Sequence, residues 1–193
     1  QIMGESLIDI IVGTDGEIDS VVGGAPINTA RTIARLGCSV SYLGGISDDS
    51  FGHRIKRLLE QDGVAIARSE LMREPSAVAL ASLDPSGSAT YRFLIDGTAA
   101  SSVTVPMAME AYDSDAMALH VGTLAFALNP LSTAVRAVID SMPEQQILMV
   151  DPNARPSVMS DSTTLQDTFN HAQPRADIIK VSGDDRLFLF PGT

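Results

Sequence analysis

Cysteine is almost absent from this sequence. Cys38 is the single one, so no disulfide framework can form, which fits a reducing cytosol. Between Gly37 and a Val/Tyr/Leu run, Cys38 reads as a small core residue rather than a reactive thiol. Lysine is nearly as scarce, with Lys56 and Lys180 alone. The 13 basic side chains face 24 acidic ones, for a formal charge of −11. That surface repels phosphate backbones and anionic membranes, which argues against nucleic acid or membrane as partners. No apolar run approaches the length of a membrane span. No basic-then-apolar signal segment opens the sequence, so the expected location is cytoplasmic. The first residue is Gln1, directly on an apolar run, which suggests numbering that begins inside a longer chain. Internal repeats and low-complexity segments are missing. So are the Gly-x4-Gly-Lys-Ser/Thr phosphate loop and the Gly-x-Gly-x-x-Gly dinucleotide fingerprint.

What is present suits a soluble globular protein: 193 residues, 45% of them apolar and 19% charged, enough for one good-sized core. Residues 2–12 read as one buried strand with polar interruptions. A turn at Gly13–Gly16 and a short returning strand near Ser20–Val22 follow. Residues 26–36 read as a helix ended by Gly37, 39–43 as a strand, and 51–62 as an amphipathic helix closed by Gly63. Between 64 and about 100 the pattern becomes β-only. Residues 77–83 and 89–95 form a hairpin around Asp84-Pro85-Ser86-Gly87. Alternation then resumes, with strands at 117–121, 146–150 and 177–181 and helices at 130–141, 163–172 and 184–190. Alternating units of this kind predict an α/β fold, a doubly wound and mainly parallel sheet with helices on both faces. The β-only stretch reads as an insertion off one sheet edge. The expected division is an α/β core of residues 1–12, 23–72 and 102–193 with a small β lid of 13–22 and 73–101.

Ligands of open parallel sheets bind outside the C-terminal strand ends. Five strand exits supply polar groups there: Asp9, the 23–28 segment, Ser47-Asp48-Asp49, Gly122-Thr123, and Asp151-Pro152-Asn153-Ala154-Arg155. Asp48 and Asp49 precede a helix and read as caps. Asp9 is different, because a carboxylate inside an apolar strand needs partners. The segment Gly23-Gly24-Ala25-Pro26-Ile27-Asn28-Thr29-Ala30 carries the strongest signal. Its glycines let backbone approach a ligand, Pro26 suits a first helical turn, and Asn28 offers a two-way hydrogen-bonding amide. His120 reads as a satisfied buried histidine rather than a base.

These residues resemble the PfkB, or ribokinase-like, family of sugar kinases. The similar segments include Gly4-Glu5-Ser6-Leu7-Ile8-Asp9, the 23–30 stretch, Leu36-Gly37 and Asp48-Asp49-Ser50-Phe51-Gly52. Tyr91-Arg92-Phe93 with Gly97-Thr98-Ala99 is similar to the family's lid hairpin. Asp151-Pro152-Asn153-Ala154-Arg155-Pro156 and Lys180-Val181-Ser182 are similar to its fructokinase branch. The resemblance implies an enzyme that moves the γ-phosphoryl of ATP, with Mg2+, onto a sugar hydroxyl. It implies that Asp9, Gly23, Gly24, Asn28, Tyr91, Arg92, Asn153 and Arg155 bind the sugar, with Arg155 near the transferred phosphoryl. Lys180, Ser182 and Asp185 fall where the family has polar groups near the nucleotide and the waters of magnesium. Ser182 and Asp185 also read as a capping pair. No residue is expected to ligate metal directly. Lid strands such as 89–95 could pair between subunits, giving a homodimer.

Ser47 stands where the family has glycine. The family's Asp-Thr-x-Gly-Ala-Gly-Asp segment, source of the catalytic base and anion hole, has no counterpart among these 193 residues. The expectation is therefore that the chain carries the sugar-binding half of a longer, ribokinase-like kinase, incomplete at its C-terminus. Competing readings are a 2-keto-3-deoxygluconate kinase or a nucleoside kinase, with Arg92 and Arg155 serving an acidic sugar in the former. Another is a non-catalytic sugar-binding or dimerisation module.

Overall fold

The computed structural model describes residues 1–83, 89–154 and 162–190. Its main sheet has six parallel strands in the order β10-β9-β8-β1-β4-β5. They are β1 (Ile2–Met3), β4 (Ser41–Leu43), β5 (Ala65–Ile66), β8 (Ala118–Gly122), β9 (Ile147–Asp151) and β10 (Ile178–Ile179). A smaller sheet has the order β3-β2-β6-β7, from β2 (Leu7–Val12), β3 (Ile18–Gly23), β6 (Ala77–Leu83) and β7 (Ala89–Leu94). Here β2 runs parallel to β6, while β3 and β7 flank that pair antiparallel. The helices are α1 (Ala25–Arg35), α2 (Ser50–Gln61), α3 (Val105–Ala111), α4 (Leu131–Ser141), α5 (Ser162–Ala172) and α6 (Gly183–Leu189).

Strand alternation sorts the helices onto two faces. Ile2 and Tyr42 pack with Ile27 and Ala30 of α1 and Ile55 and Leu59 of α2. Their neighbours Met3 and Leu43 pack the other way, with Ala108, Val135, Leu165 and Phe169 of α3, α4 and α5. Leu119 and Val121 join that second cluster, so His120 between them faces the α1 side. A third cluster, with Leu7, Ala77, Ala79, Ala100 and Leu124, joins the smaller sheet to the main one. At about 25 cal/mol per Å² of apolar area buried, these clusters dominate the stabilisation.

Local sequence explains the helix ends. Asp49 caps α2 by accepting from the Gly52 amide at 2.8 Å. It also accepts from the Ser76 amide and hydroxyl at 2.8 and 2.7 Å, tying the chain just before β6 to this helix. Burial pushes its carboxyl up, but these bonds outweigh that and hold it below the ordinary carboxylate range. Helix α1 stops at Gly37, with its amide on Ala34 and that of Cys38 on Ile33, a Schellman arrangement.

The sequence reading needs correction at four places. The strand expected over 2–12 is broken at Gly4-Glu5-Ser6. The Gly4 amide donates to Leu43, the Tyr42 hydroxyl to the Gly4 carbonyl, and the Ser6 hydroxyl to the Gly45 carbonyl. The Gly4 backbone and the Ser6 hydroxyl are thus spent on the end of β4 and the residues just after it, and the chain crosses between sheets. Residues 7–12 consequently pair within the smaller sheet. Strand β5 and helix α3 are too short to carry a periodic signal and were not foreseen. Cys38 is exposed rather than core, because it follows the Schellman turn on the outside. His120 is mostly buried, but its Nδ1 has no hydrogen-bond partner among the described residues. The hairpin turn expected at 84–87 lies outside the described residues.

Candidate functional site

The crossing at Gly4–Ser6 sets the junction of the two sheets, and a hollow of about 490 Å³ opens there. Asp9, Gly24, Asn28, Tyr91, Phe93 and Asn153 all line it. Asp9 projects from β2, whose partner β3 pairs Leu7 with Gly23 and Asp9 with Val21. A Cβ built on Gly23 would lie 2.0 Å from Asp9 Oδ2. The bare backbone at Gly23 is therefore what makes room for the carboxylate. Asp9 is half-buried and forms no hydrogen bond among the described residues. Burial raises its pKa above the ordinary carboxylate value. A carboxylate in this condition retains its full accepting capacity for a ligand.

Helix α1 brings the second group of donors. Gly24 is its N-cap, at φ +101°, with no side-chain cap. The conformation suits glycine, and a Cβ there would meet the Glu5 carbonyl oxygen at 2.9 Å. With no capping side chain, first-turn amides of α1 are left for a ligand. Asn28 sits one turn in, its amide on the Gly24 carbonyl at 3.0 Å and its side chain exposed at the hollow.

The smaller sheet supplies an aromatic wall. Tyr91 and Phe93 alternate on β7, so both point to one face, and their rings stack with centroids 6.2 Å apart. Arg92, between them, points to the opposite face, is exposed, and does not line the hollow.

The main sheet closes the rim from below. Thr123, just after β8, has φ +58°, and Asn153, just after β9, has φ +36°. Among the described residues these are the two non-glycine positions with positive φ, and both line the hollow. Such conformations cost about 1–3 kcal/mol each and cluster at ligand sites. The Asn153 side-chain amide reaches Thr123 Oγ1 at 3.5 Å.

Asp185 holds this corner in place from α6. Its Oδ1 accepts from the Ala154 amide at 2.7 Å and its Oδ2 from the Ser182 amide at 2.8 Å. Ser182 Oγ in turn accepts from the Asp185 amide at 3.0 Å, completing a capping box. Burial pushes the Asp185 carboxyl up, but these bonds and the charge of Lys180 hold it below the ordinary range. Lys180 lies 3.0 Å from Asp151. Lys180, Ser182 and Asp185 are thus engaged with the protein itself and do not line the hollow. Arg155 lies outside the described residues. Among the described residues no three His, Cys, Asp or Glu side chains converge to hold a metal ion.

The structure therefore brings Asp9, Gly24, Asn28, Tyr91 and Asn153 to one hollow, with Gly23 directly beneath Asp9. Thr123, expected from its place at a strand exit, also lines it, and the structure adds Glu5, Leu7, Phe93 and Leu124, which sequence reasoning did not single out as ligand contacts. Phe93 was within reach of the strand period, sharing a face with Tyr91. Glu5 became visible only with the break before β2. Ser47, in the family's glycine position, is buried and accepts from the Asp49 amide at 3.1 Å.

The model of the pfkB family of carbohydrate kinases matches residues 3–190. A curated relative, the fructokinase of Rhizobium leguminosarum bv. trifolii, is 30% identical over 187 residues, covering 94% of this chain and 56% of that protein. The fructokinase of Vibrio alginolyticus is 28% identical over 196 residues, covering 100% and 62%. The chain thus spans less than two thirds of these relatives' length. Among solved structures, the fructokinase of Xylella fastidiosa superposes with a TM-score of 0.86 at 23% identity, over 97% of this chain and 63% of that one. The fructokinase of Vibrio cholerae O395, in fructose, ADP and calcium ion bound form, gives a TM-score of 0.80 at 26% identity, over 97% and 62%. With that match spanning nearly its whole length, the chain belongs to the pfkB family of carbohydrate kinases.

Proposed function

We propose that the protein is an ATP-dependent, fructokinase-like sugar kinase and that this chain carries its sugar-binding half. The observation that carries this reading is the Asp9 carboxylate, half-buried and without a hydrogen-bond partner among the described residues, in a hollow shared with Asn28 and Asn153. Asp9 accepts hydrogen bonds from two sugar hydroxyls, and Asn28 both donates and accepts. The Tyr91–Phe93 pair covers the apolar C–H face of the ring. Neutral polyols suit this lining better than acidic sugars. Among the residues lining the hollow, Glu5 and Asp9 are the charged ones, both acidic, and Arg92 faces away. This weighs against 2-keto-3-deoxygluconate. A nucleoside remains a competitor, since stacked aromatics also accept a base.

ATP supplies the phosphoryl group. Lys180, Ser182 and Asp185, the candidates on the nucleotide side, are engaged internally, and the catalytic base is assigned to no residue of this chain. Mg2+ would arrive with the nucleotide phosphates and keep several waters, as is usual for this ion; the described residues gather no carboxylate cage for it. Tyr91 and the smaller sheet lie above the rim in the position of a lid that excludes water from the reacting hydroxyl. The single, unpaired cysteine supports a cytoplasmic setting. Exposed Ile18 and Leu94 on the edge strands β3 and β7 support a homodimer through the smaller sheet. No helix among the described residues is long and apolar enough to cross a membrane.

The test is a substrate panel with ATP and Mg2+, read by ADP release. The proposal predicts turnover of fructose well above that of nucleosides and 2-keto-3-deoxygluconate. Phosphorylation of none of these, or a clear preference for the acidic sugar, would overturn it.

A further inference from the structure

A second hollow, of about 470 Å³, opens where α1, α2 and β3 meet. It shares no lining residue with the first. Its walls include Arg31, Arg54, Arg57, Gln61, Val21 and Val22, and no carboxylate lines it. This is a concentration of positive charge in a chain with 13 basic residues and a formal charge of −11.

The arginines are not neutralised by one another's partners. Arg54 donates to the Ser20 hydroxyl at 2.8 Å and the Ser20 carbonyl at 2.7 Å. Both acceptors are neutral, so they fix the guanidinium in place and leave its charge uncompensated. Arg31 donates from Nε to Asp62 Oδ2 at 2.6 Å, while Asp62 Oδ1 is taken by Arg35 at 2.9 Å. One carboxylate is thus divided between two guanidiniums. Arg57 has no hydrogen bond or ion pair among the described residues. Arg54 and Arg57 stand three apart on α2, a like-charge spacing that costs helix stability. Folding alone gives no reason to gather them.

We propose that this hollow binds a small phosphate monoester. Its dianionic head would bridge Arg57, Arg54 and the free Nη groups of Arg31, since the planar guanidinium fork matches phosphate oxygens bidentately. Gln61 adds an amide donor. Val21, Val22 and Leu58 form an apolar wall for the organic part of the ligand. The site stands on residues that the sugar-kinase reading does not use.

The probe is phenyl phosphate, titrated calorimetrically into the protein at fixed ionic strength, with inorganic phosphate alongside. Saturable binding of phenyl phosphate is expected, tighter than that of inorganic phosphate because of the apolar wall. Arg57→Ala should weaken it about tenfold or more, and Arg57→Lys, which keeps the charge but loses the fork, should fall between. Arg57 is exposed and without a partner among the described residues, so its replacement leaves the fold intact, which a thermal melt verifies. Asp9→Ala, in the other hollow, should leave this titration unchanged. Absence of saturable binding would overturn the proposal. So would equal affinity in Arg57→Ala, or loss in Asp9→Ala, which would put the anion in the first hollow. Failure here leaves the sugar-kinase reading standing, and the converse holds too.

Discussion

The carboxylate of Asp9 occupies the space that a side chain at position 23 would fill. A Cβ at Gly23 would come within 2.0 Å of Asp9 Oδ2 and 2.8 Å of its Cγ. The two positions lie on neighbouring strands, and the missing side chain on one sets the rotamer of the other.

Gly23→Ala should therefore act through Asp9. The added methyl group displaces the carboxylate from the hollow, and sugar affinity should drop about tenfold or more, the worth of a charge-assisted hydrogen bond. In an Asp9→Ala background the same change should cost far less. A double-mutant cycle by calorimetry checks this. Additive losses would mean that Gly23 serves the ligand independently of Asp9.

Asp9 also sets a pH dependence whose sign follows from burial. Its folded pKa is raised, so the folded state disfavours the charged form. That penalty is absent below the ordinary carboxylate value, grows as pH rises toward the raised value, and is complete above it. Asp9→Asn should thus raise the urea midpoint at pH above that raised value, and the gain should vanish below the ordinary carboxylate value. In the proposed role Asp9 accepts sugar hydroxyls in its ionised form, so wild-type affinity should fall as pH drops through the same raised value. A variant that is more stable yet fails to bind sugar is the expected signature of a functional carboxylate.

Asp185 has the opposite sign. Its folded pKa is lowered, so its contribution is present above the ordinary carboxylate value and is lost as pH falls through the lowered one. Asp185→Ala strips acceptors from the amides of Ser182 and Ala154, at a cost of about 2–4 kcal/mol. Because Ala154 follows Asn153, weaker sugar binding should accompany the loss. Urea unfolding at neutral and acidic pH, with a sugar titration, separates the two effects. An unchanged midpoint would contradict the capping role.

Much of this was legible beforehand. The 3.6-residue spacing of Ile27, Ala30 and Ile33 marked α1, and the glycines at 37 and 63 marked helix ends, since few other residues accept φ near +80°. The 77–83 strand came through with its bounds intact because apolar residues run from Ala77 to Ala81 and resume at Leu83, just before the Asp84-Pro85 turn signal. The crossing at Gly4–Ser6 was not legible. It depends on hydrogen bonds to Leu43 and Gly45, about forty positions away, and local periodicity carries no trace of such partners. The same limit hid the face chosen by Arg92. The resemblance assigned both Tyr91 and Arg92 to the sugar, whereas neighbours on a strand point to opposite faces, and only the sheet's placement shows that Tyr91 is the one that meets the hollow. The engagement of Asp185 with Ala154 was likewise invisible, although its pairing with Ser182 was readable from a spacing of three.

The aromatic wall separates binding from stability. Tyr91 is 54% exposed, so Tyr91→Ala should cost less than about 1 kcal/mol of stability while raising the KM for sugar. Phe93 is half-buried against the cluster that joins the sheets, and Phe93→Ala should cost about 2–3 kcal/mol. Thermal melts beside steady-state kinetics would show the split. A Tyr91→Ala enzyme with unchanged KM would remove Tyr91 from the sugar site.

The most direct test of the account is calorimetric titration of fructose into the wild-type protein and its Asp9→Ala variant, each first verified as folded. The account predicts saturable binding to the wild type and a loss of about a hundredfold or more in the variant, the worth of two charge-assisted hydrogen bonds. Equal fructose affinity in the two proteins would contradict it.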